Sequence, residues 1–204
     1  MKLFLFDFDG VLADSLEVYE KTVTDCLKDI KQPLIESREE FLELFEDNFY
    51  ASLKNKGIDL DEFMKAAESI LAKVKIKDMK PFPDVAPVIQ ELHKKHCLIV
   101  VSSNDYASIK EALDLFNYDD YFRDIFGSDF MFSKKEKILY AAGKYNVELE
   151  DIYYIGDTTG DIKEGKQAGI KTVGVTWGWH GKEKMAAAKP DYLFDHPGEL
   201  LQLN

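Results

Sequence analysis

The sequence predicts an α/β fold: a doubly wound parallel sheet with an all-helical segment inserted after its first strand. Three observations carry this. The runs Leu3-Phe4-Leu5-Phe6, Leu98-Ile99-Val100-Val101 and Ile152-Tyr153-Tyr154-Ile155 are apolar without polar alternation, as strands buried on both faces are. Beyond Pro83 such runs alternate with helical stretches, the pattern of a parallel sheet covered on both faces. Between the first run and Pro81, some sixty residues carry helical periodicity and no strand.

The first strand ends in Asp7-Phe8-Asp9-Gly10. Side chains alternate along a strand, so Asp7 and Asp9 start on one side and Phe8 on the other. Gly10 lets the chain turn away at once. Leu16, Tyr19, Val23, Leu27 and Ile30 then recur at three and four, and Gln32-Pro33 ends that helix. Ser37-Arg38-Glu39-Glu40 is a capping-box sequence opening a helix with Phe41, Leu44 and Phe45 inward. Gly57 closes a further piece. Asp59 or Asp61 caps the next, which carries Phe63, Ala67, Ile70, Leu71 and Val74. Pro81-Phe82-Pro83 is a stiff, extended connection. A core of residues 1–14 and 81–204 with a helical domain of residues 15–80 follows from these junctions.

After Pro83 the expected order is a helix through Val85 and Leu92, a strand at 98–101, a helix at 107–116 and a short strand at 124–127. A helix at 136–145, the strand at 152–155 and a helix at 161–168 ending at Gly169 come next. Strands at 172–175 and 192–194 complete the sheet.

Composition narrows the function. A net charge of -12 disfavours nonspecific binding to nucleic acid or to an anionic membrane. No stretch reaches the roughly 20 apolar residues that span a bilayer. Cys26 and Cys97 form no CxxC pair and sit in apolar patterns, as buried thiols of a cytoplasmic protein do. Nothing in the pattern separates a monomer from a homodimer.

Ligands of a parallel sheet gather at the carboxyl ends of its strands. Asp7 and Asp9 stand at the first such end, where two acids in one crevice call for a shared proton or a hard divalent cation. Ser102-Ser103-Asn104 offers hydroxyls, an amide and backbone N–H groups, a phosphate cradle or a plain helix cap. Asp157 and Asp161 stand one helical turn apart after the strand at 152–155, so both can reach one ion. Lys134 and Lys135, in the run Ser133–Lys137, can bind phosphate or lie on a solvated face.

Taken in order, these segments resemble the haloacid dehalogenase superfamily. Its DxDG motif stands as Asp7–Gly10, followed by Val11, and its strand ending in Ser or Thr as Leu98–Ser102. Its lysine is best matched by Lys134, with Lys135 the alternative, and its GDxxxD motif stands as Gly156–Asp161. The run from Gly156 to Val175 and the helical insert look like the phosphoglycolate phosphatase-like branch, with a Rossmann-like core and a cap. The resemblance implies a Mg²⁺-dependent phosphatase acting on a small phosphorylated metabolite. It makes Asp7 the nucleophile and Asp9 the acid and base. It gives Mg²⁺ to the Asp7 carboxylate, the Asp9 backbone carbonyl and Asp157, with Asp161 direct or through water. Ser102, Ser103 and Asn104 would bind phosphoryl oxygens, Lys134 would steady phosphate and Asp7, and Gly10 would leave room beside the phosphate.

Two alternatives share the fold. A sugar-phosphate mutase of the β-phosphoglucomutase type carries a histidine in its first cap helix, where Tyr19 falls here, and residues 15–80 contain no histidine. A non-catalytic scaffold would be expected to lose an acid, yet all four are present. Trp177–His180 is expected to pack a loop onto the core, with His180 at the surface.

Overall fold

A computed structural model of the protein describes residues 1–71 and 79–204. The chain runs β1 (Leu3–Phe6), β2 (Ala13–Asp14), α1 (Leu16–Asp29), α2 (Arg38–Glu43), α3 (Phe49–Asn55), α4 (Leu60–Leu71), β3 (Lys80–Pro81) and α5 (Val85–His93). It continues with β4 (Cys97–Val101), α6 (Tyr106–Phe116), β5 (Asp124–Phe126), α7 (Lys134–Tyr145), β6 (Ile152–Gly156), α8 (Thr159–Ala168), β7 (Lys171–Val175), α9 (Lys182–Ala187) and β8 (Tyr192–Phe194).

Six strands form one parallel sheet in the order β5-β4-β1-β6-β7-β8. The all-apolar β1 is buried on both faces because it lies at the centre, with Phe6 registered on Val100 of β4 and on Ile155 of β6. Phe4, Phe6, Leu98 and Val100 pack against Val88 and Leu92 of α5 and Ile109 and Leu113 of α6. Leu3, Leu5, Ile99 and Val101 face the other way, onto Ile138 and Ala141 of α7 and Ala168 of α8. The sheet is therefore doubly wound, as expected. The strand order reverses at β1, between β4 and β6, and a ligand crevice opens at such a switch point.

The four helices after β2 have their own core, including Tyr19, Phe41, Phe45, Phe49 and Phe63. Ser37 accepts from the Glu40 N–H at 3.2 Å, but the return contact of the expected capping box differs: Glu40 accepts from Glu36 N–H at 2.7 Å. Asp59, rather than Asp61, caps α4 by accepting from the N–H groups of Asp61 and Glu62. The part of the expected helix around Val74 lies outside the described residues. At the junction the two crossing chains pair as a short antiparallel ribbon, Ala13 on Pro81 and Asp14 on Lys80.

Three local expectations change. Helix α7 starts at Lys134 and α8 at Thr159, because Ser133 and Thr158 act as their N-caps. Cys97 is only half-buried, whereas Cys26 is buried. No described helix is long and apolar enough to cross a membrane.

Candidate active site

The residues picked out from the sequence converge at the switch point. Asp7 follows β1 and its N–H still donates to the Ile155 carbonyl at 2.9 Å, continuing the ladder with β6. Asp157 follows β6, and Ser102 follows β4. All four acids and Ser102, Ser103, Asn104 and Lys134 are buried.

Of the two lysines, Lys134 is the one whose side chain reaches the acids. Its Nζ donates to Asp7 Oδ2 at 2.5 Å and to Asp161 Oδ1 at 2.6 Å, whereas the Lys135 backbone N–H donates to Glu164. Asp7 Oδ1 accepts from the Phe8 N–H at 2.7 Å, which sets the rotation of the carboxylate. Asp9 is held separately: Ser15 donates to its Oδ1 at 2.7 Å, and the Asn104 amide reaches its Oδ2 at 3.5 Å. Ser102 Oγ accepts from the Asn104 N–H at 3.0 Å, which orients the β4 turn.

Asp161 has two tasks. It closes the capping box of α8, with Oδ2 accepting from the N–H and the hydroxyl of Thr158. Its Oδ1 accepts from Lys134 and from the Tyr154 hydroxyl. Both oxygens are thus engaged, Oδ1 by Lys134 and Tyr154 and Oδ2 by Thr158.

Asp7, Asp157 and Asp161 each offer a carboxylate oxygen, and these lie within 4.8 Å of one another. Asp157 Oδ2 accepts from the Trp179 N–H at 2.6 Å, but its Oδ1 is buried with no partner. A buried carboxylate oxygen with no donor calls for a cation or a proton. The set fits a hard divalent ion with oxygen ligands.

Burial dominates the electrostatics. It raises Asp7 to about 7 against the pull of Lys134, and Asp9 to about 6 against the Ser15 hydrogen bond. Asp157 is pushed well above the usual range by burial and then by Asp161. Burial also acts to raise Asp161, but Lys134 and Thr158 outweigh it and hold that carboxyl low. Lys134 stays charged: burial opposes its charge, and Asp161 and Asp7 overcome that opposition.

A pH dependence follows. Asp7 and Asp9 keep protons up to about 7 and 6 when folded, against 3.8 for the ordinary group. Through that window the folded state binds more protons than the unfolded one, so metal-free protein loses stability as pH rises. A Mg²⁺ ion held by this cluster would compete with those protons. Thermal melts should show a Mg²⁺-induced rise larger at pH 7.5 than at pH 5 by about 5 °C or more. Equal shifts at both pH values would remove the metal from this cluster.

Gly10 has φ +76, and a Cβ there would lie 1.9 Å from Asp157 Oδ2. The space beside it is filled by the Asp157 carboxylate, where the family resemblance implied room beside the phosphate. Gly10→Ala should both strain the turn and displace Asp157. The expected result is a loss of about 2 kcal/mol or more in denaturant melts, with weakened Mg²⁺ stabilisation. A variant that melts and responds to Mg²⁺ like wild type would refute this packing account.

Several residues escaped sequence reasoning. Lys137, fully buried one turn after Lys134, donates from Nζ to the Ser102 carbonyl, and burial lowers it to about 7. The run Ser133–Lys137 reads as a phosphate site or a solvated face, with no role marked for Lys137; the i, i+3 spacing of its first and last lysines was the available signal. His180 is 1% exposed, not at the surface. Its Nδ1 accepts from the Thr159 N–H at 3.0 Å and its Nε2 meets the Leu42 carbonyl at 3.1 Å, joining α8 to the helical block. Trp179 packs into the aromatic core of that block, 4.8 Å from Phe45 between ring centres. Trp177 does pack on the α/β core, as expected of the whole loop.

An insertion after the first strand of a doubly wound sheet, placed over acids at its switch point, defines a capped α/β protein with an acid-centred site. The chain belongs to the haloacid dehalogenase-like hydrolase family, whose model matches residues 4–175. The phosphoglycolate phosphatase of Synechococcus elongatus is 25% identical over 99% of this chain and 96% of its own length. The pyrophosphatase PpaX of Listeria monocytogenes is 26% identical over 98% of this chain and 94% of its own. A solved haloacid dehalogenase-like hydrolase from Streptococcus pneumoniae shares the fold with a TM-score of 0.79, at 22% identity, over 99% of this chain and 97% of that one.

Proposed function

We propose that this chain is a Mg²⁺-dependent phosphatase that hydrolyses a small phosphorylated metabolite through an aspartyl-phosphate. The observation that carries the reading is the pairing of Asp7 with Lys134 beside Asp157, whose Oδ1 accepts no hydrogen bond. Asp7, Asp157 and the Asp9 backbone carbonyl would hold Mg²⁺, with Asp161 in support. The ion supplies charge neutralisation, so that an anionic nucleophile meets an anionic phosphoryl group.

The chain's own residues divide the remaining work. Asp7 attacks phosphorus, with Phe8 N–H fixing one oxygen and Lys134 the other. Asp9, raised by burial to about 6, carries the proton that goes to the leaving oxygen. Having given it up, Asp9 takes a proton from the water that hydrolyses the acyl phosphate. Ser15 and Asn104 keep its carboxyl aimed through both steps. Ser102 and its neighbours receive the phosphoryl oxygens, and Lys137 braces the Ser102 carbonyl.

Residues 15–80 act as the cap. Its seat is built by hydrogen bonds to backbone carbonyls: the Gly160 N–H donates to the Phe45 carbonyl at 3.0 Å, and the Tyr50 hydroxyl to the Ser103 carbonyl at 2.7 Å. A Cβ at Gly160 would lie 2.4 Å from the Asp47 carbonyl oxygen, so only glycine allows this approach. The strand-tip pocket has about 10 Å³ of free space, room for one water. Substrate therefore enters when the cap lifts, and closure expels bulk water.

The test is phosphate release from p-nitrophenyl phosphate with Mg²⁺ and with EDTA. Metal-dependent turnover supports the reading. Activity unaffected by EDTA, or none on aryl phosphates and a broad panel of phosphorylated metabolites, would overturn it. The mutase alternative predicts interconversion of sugar phosphates with little free phosphate, and no histidine of this chain lies in the cap.

A further inference from the structure

A second, larger space lies between the cap and the core, and its chemistry bears on what the phosphate is attached to. The cavity measures about 730 Å³ and shares Tyr19 and Ser103 with the strand-tip pocket. It is where the organic half of a substrate would lie while its phosphoryl group faces Asp7. Phe49, Tyr50 and Phe63 give it an aromatic wall, supplied by α3 and α4.

Its charged lining has one sign. Glu68 of α4, Asp105 before α6, Glu111 of α6 and Asp129 all line it, and among the described residues no lysine or arginine does. Asp105 is the informative one. Its Oδ1 accepts from the Ser108 N–H at 3.0 Å and caps α6, while its Oδ2 is buried and accepts nothing. Asp105 lines the cavity, so a donor on a ligand seated there could complete its hydrogen bonding. A second anionic group would instead face like charge on every charged side chain of this wall.

Resting on the phosphatase reading, we infer that the substrate is a phosphate monoester of a bulky alcohol that bears no negative charge and presents an amine or other N–H donor to Asp105. The aromatic wall takes the apolar body, and a cationic donor also gains from the faces of the aromatic rings. The carboxylate of phosphoglycolate and the second phosphate of pyrophosphate are the wrong charge for this cavity. Curated relatives named for those two substrates are about equally similar to this chain, at 25% and 26% identity, so likeness does not choose between them.

Three aryl phosphates of matched shape test the inference: phenyl phosphate, 4-(aminomethyl)phenyl phosphate and 4-carboxyphenyl phosphate, each with Mg²⁺. The expected order of kcat/KM is aminomethyl, then unsubstituted, then carboxy, with about tenfold or more between the extremes. The difference should lie chiefly in KM. Asp105→Asn, which keeps the oxygen that caps α6, should compress that ratio severalfold. Glu111→Gln, a change of charge alone at an exposed position, should compress it in the same direction. Equal turnover of all three, or preference for the carboxy compound, overturns the charge assignment while leaving the phosphatase reading intact. No turnover of any of them, nor of a broad metabolite panel, overturns the phosphatase reading instead.

Discussion

Asp7→Asn should lower phosphate release on the order of ten-thousandfold or more, the scale seen when a covalent nucleophile is removed. The amide keeps the size of the side chain and its acceptor for the Phe8 N–H, but it lacks the anionic oxygen that attacks phosphorus. Asp7 is already a costly charge in its place, since burial raises it to about 7. Neutralising it should therefore leave the protein folded, and a melt in EDTA near that of wild type would separate lost chemistry from lost structure. Acid-quenched wild type given labelled substrate should retain label on protein, and the variant should not. Residual activity above a tenth of wild type would remove Asp7 from the nucleophile's role.

Lys134→Met should be the most destabilising single change at the site. It removes the one ammonium that bridges Asp7 and Asp161, all three side chains being almost wholly buried. Taking one partner from a buried ion pair leaves an uncompensated charge and costs about 3–5 kcal/mol. In a chain of this length that corresponds to a fall in Tm of about 10 °C. The hydrophobic side chain fills similar volume, so the loss is electrostatic. Mg²⁺ should accordingly restore more stability to the variant than it adds to wild type. An unchanged Tm in EDTA would mean that Lys134 does not hold these acids together.

The sequence showed the acids and the serine turn because each sits at the end of a strand legible from local pattern. Leu3–Phe6 and Ile152–Ile155 are continuous apolar runs, and Asp7 and Asp157 are the polar residues that stop them or follow one glycine later. Asp161 was harder. One pattern, an acid at the third position of a helix, serves both a capping box and a metal cluster, and here Asp161 closes the first and is one of the three acids of the second. Lys134 and Lys135 differ only in the direction their side chains take from α7. That direction depends on where the helix begins, and Ser133 moved the start by one half-turn. Trp179 and His180 gave no usable signal, since their partners Phe45 and Leu42 belong to a segment more than a hundred residues away.

What the chain declares unaided is its architecture: buried runs against amphipathic ones, a helical insert after the first strand, and acids at strand tips. Those are properties of neighbours in sequence, where the spacing of apolar residues decides which faces are buried. Tertiary structure alone decided which lysine clamps Asp7 across 127 residues, that Asp157 fills the space left by Gly10, and which charges line the cavity under the helices. Each of these depends on a through-space meeting of distant segments. Whether a charge is tolerable there depends on its depth and its partners, which no local pattern encodes.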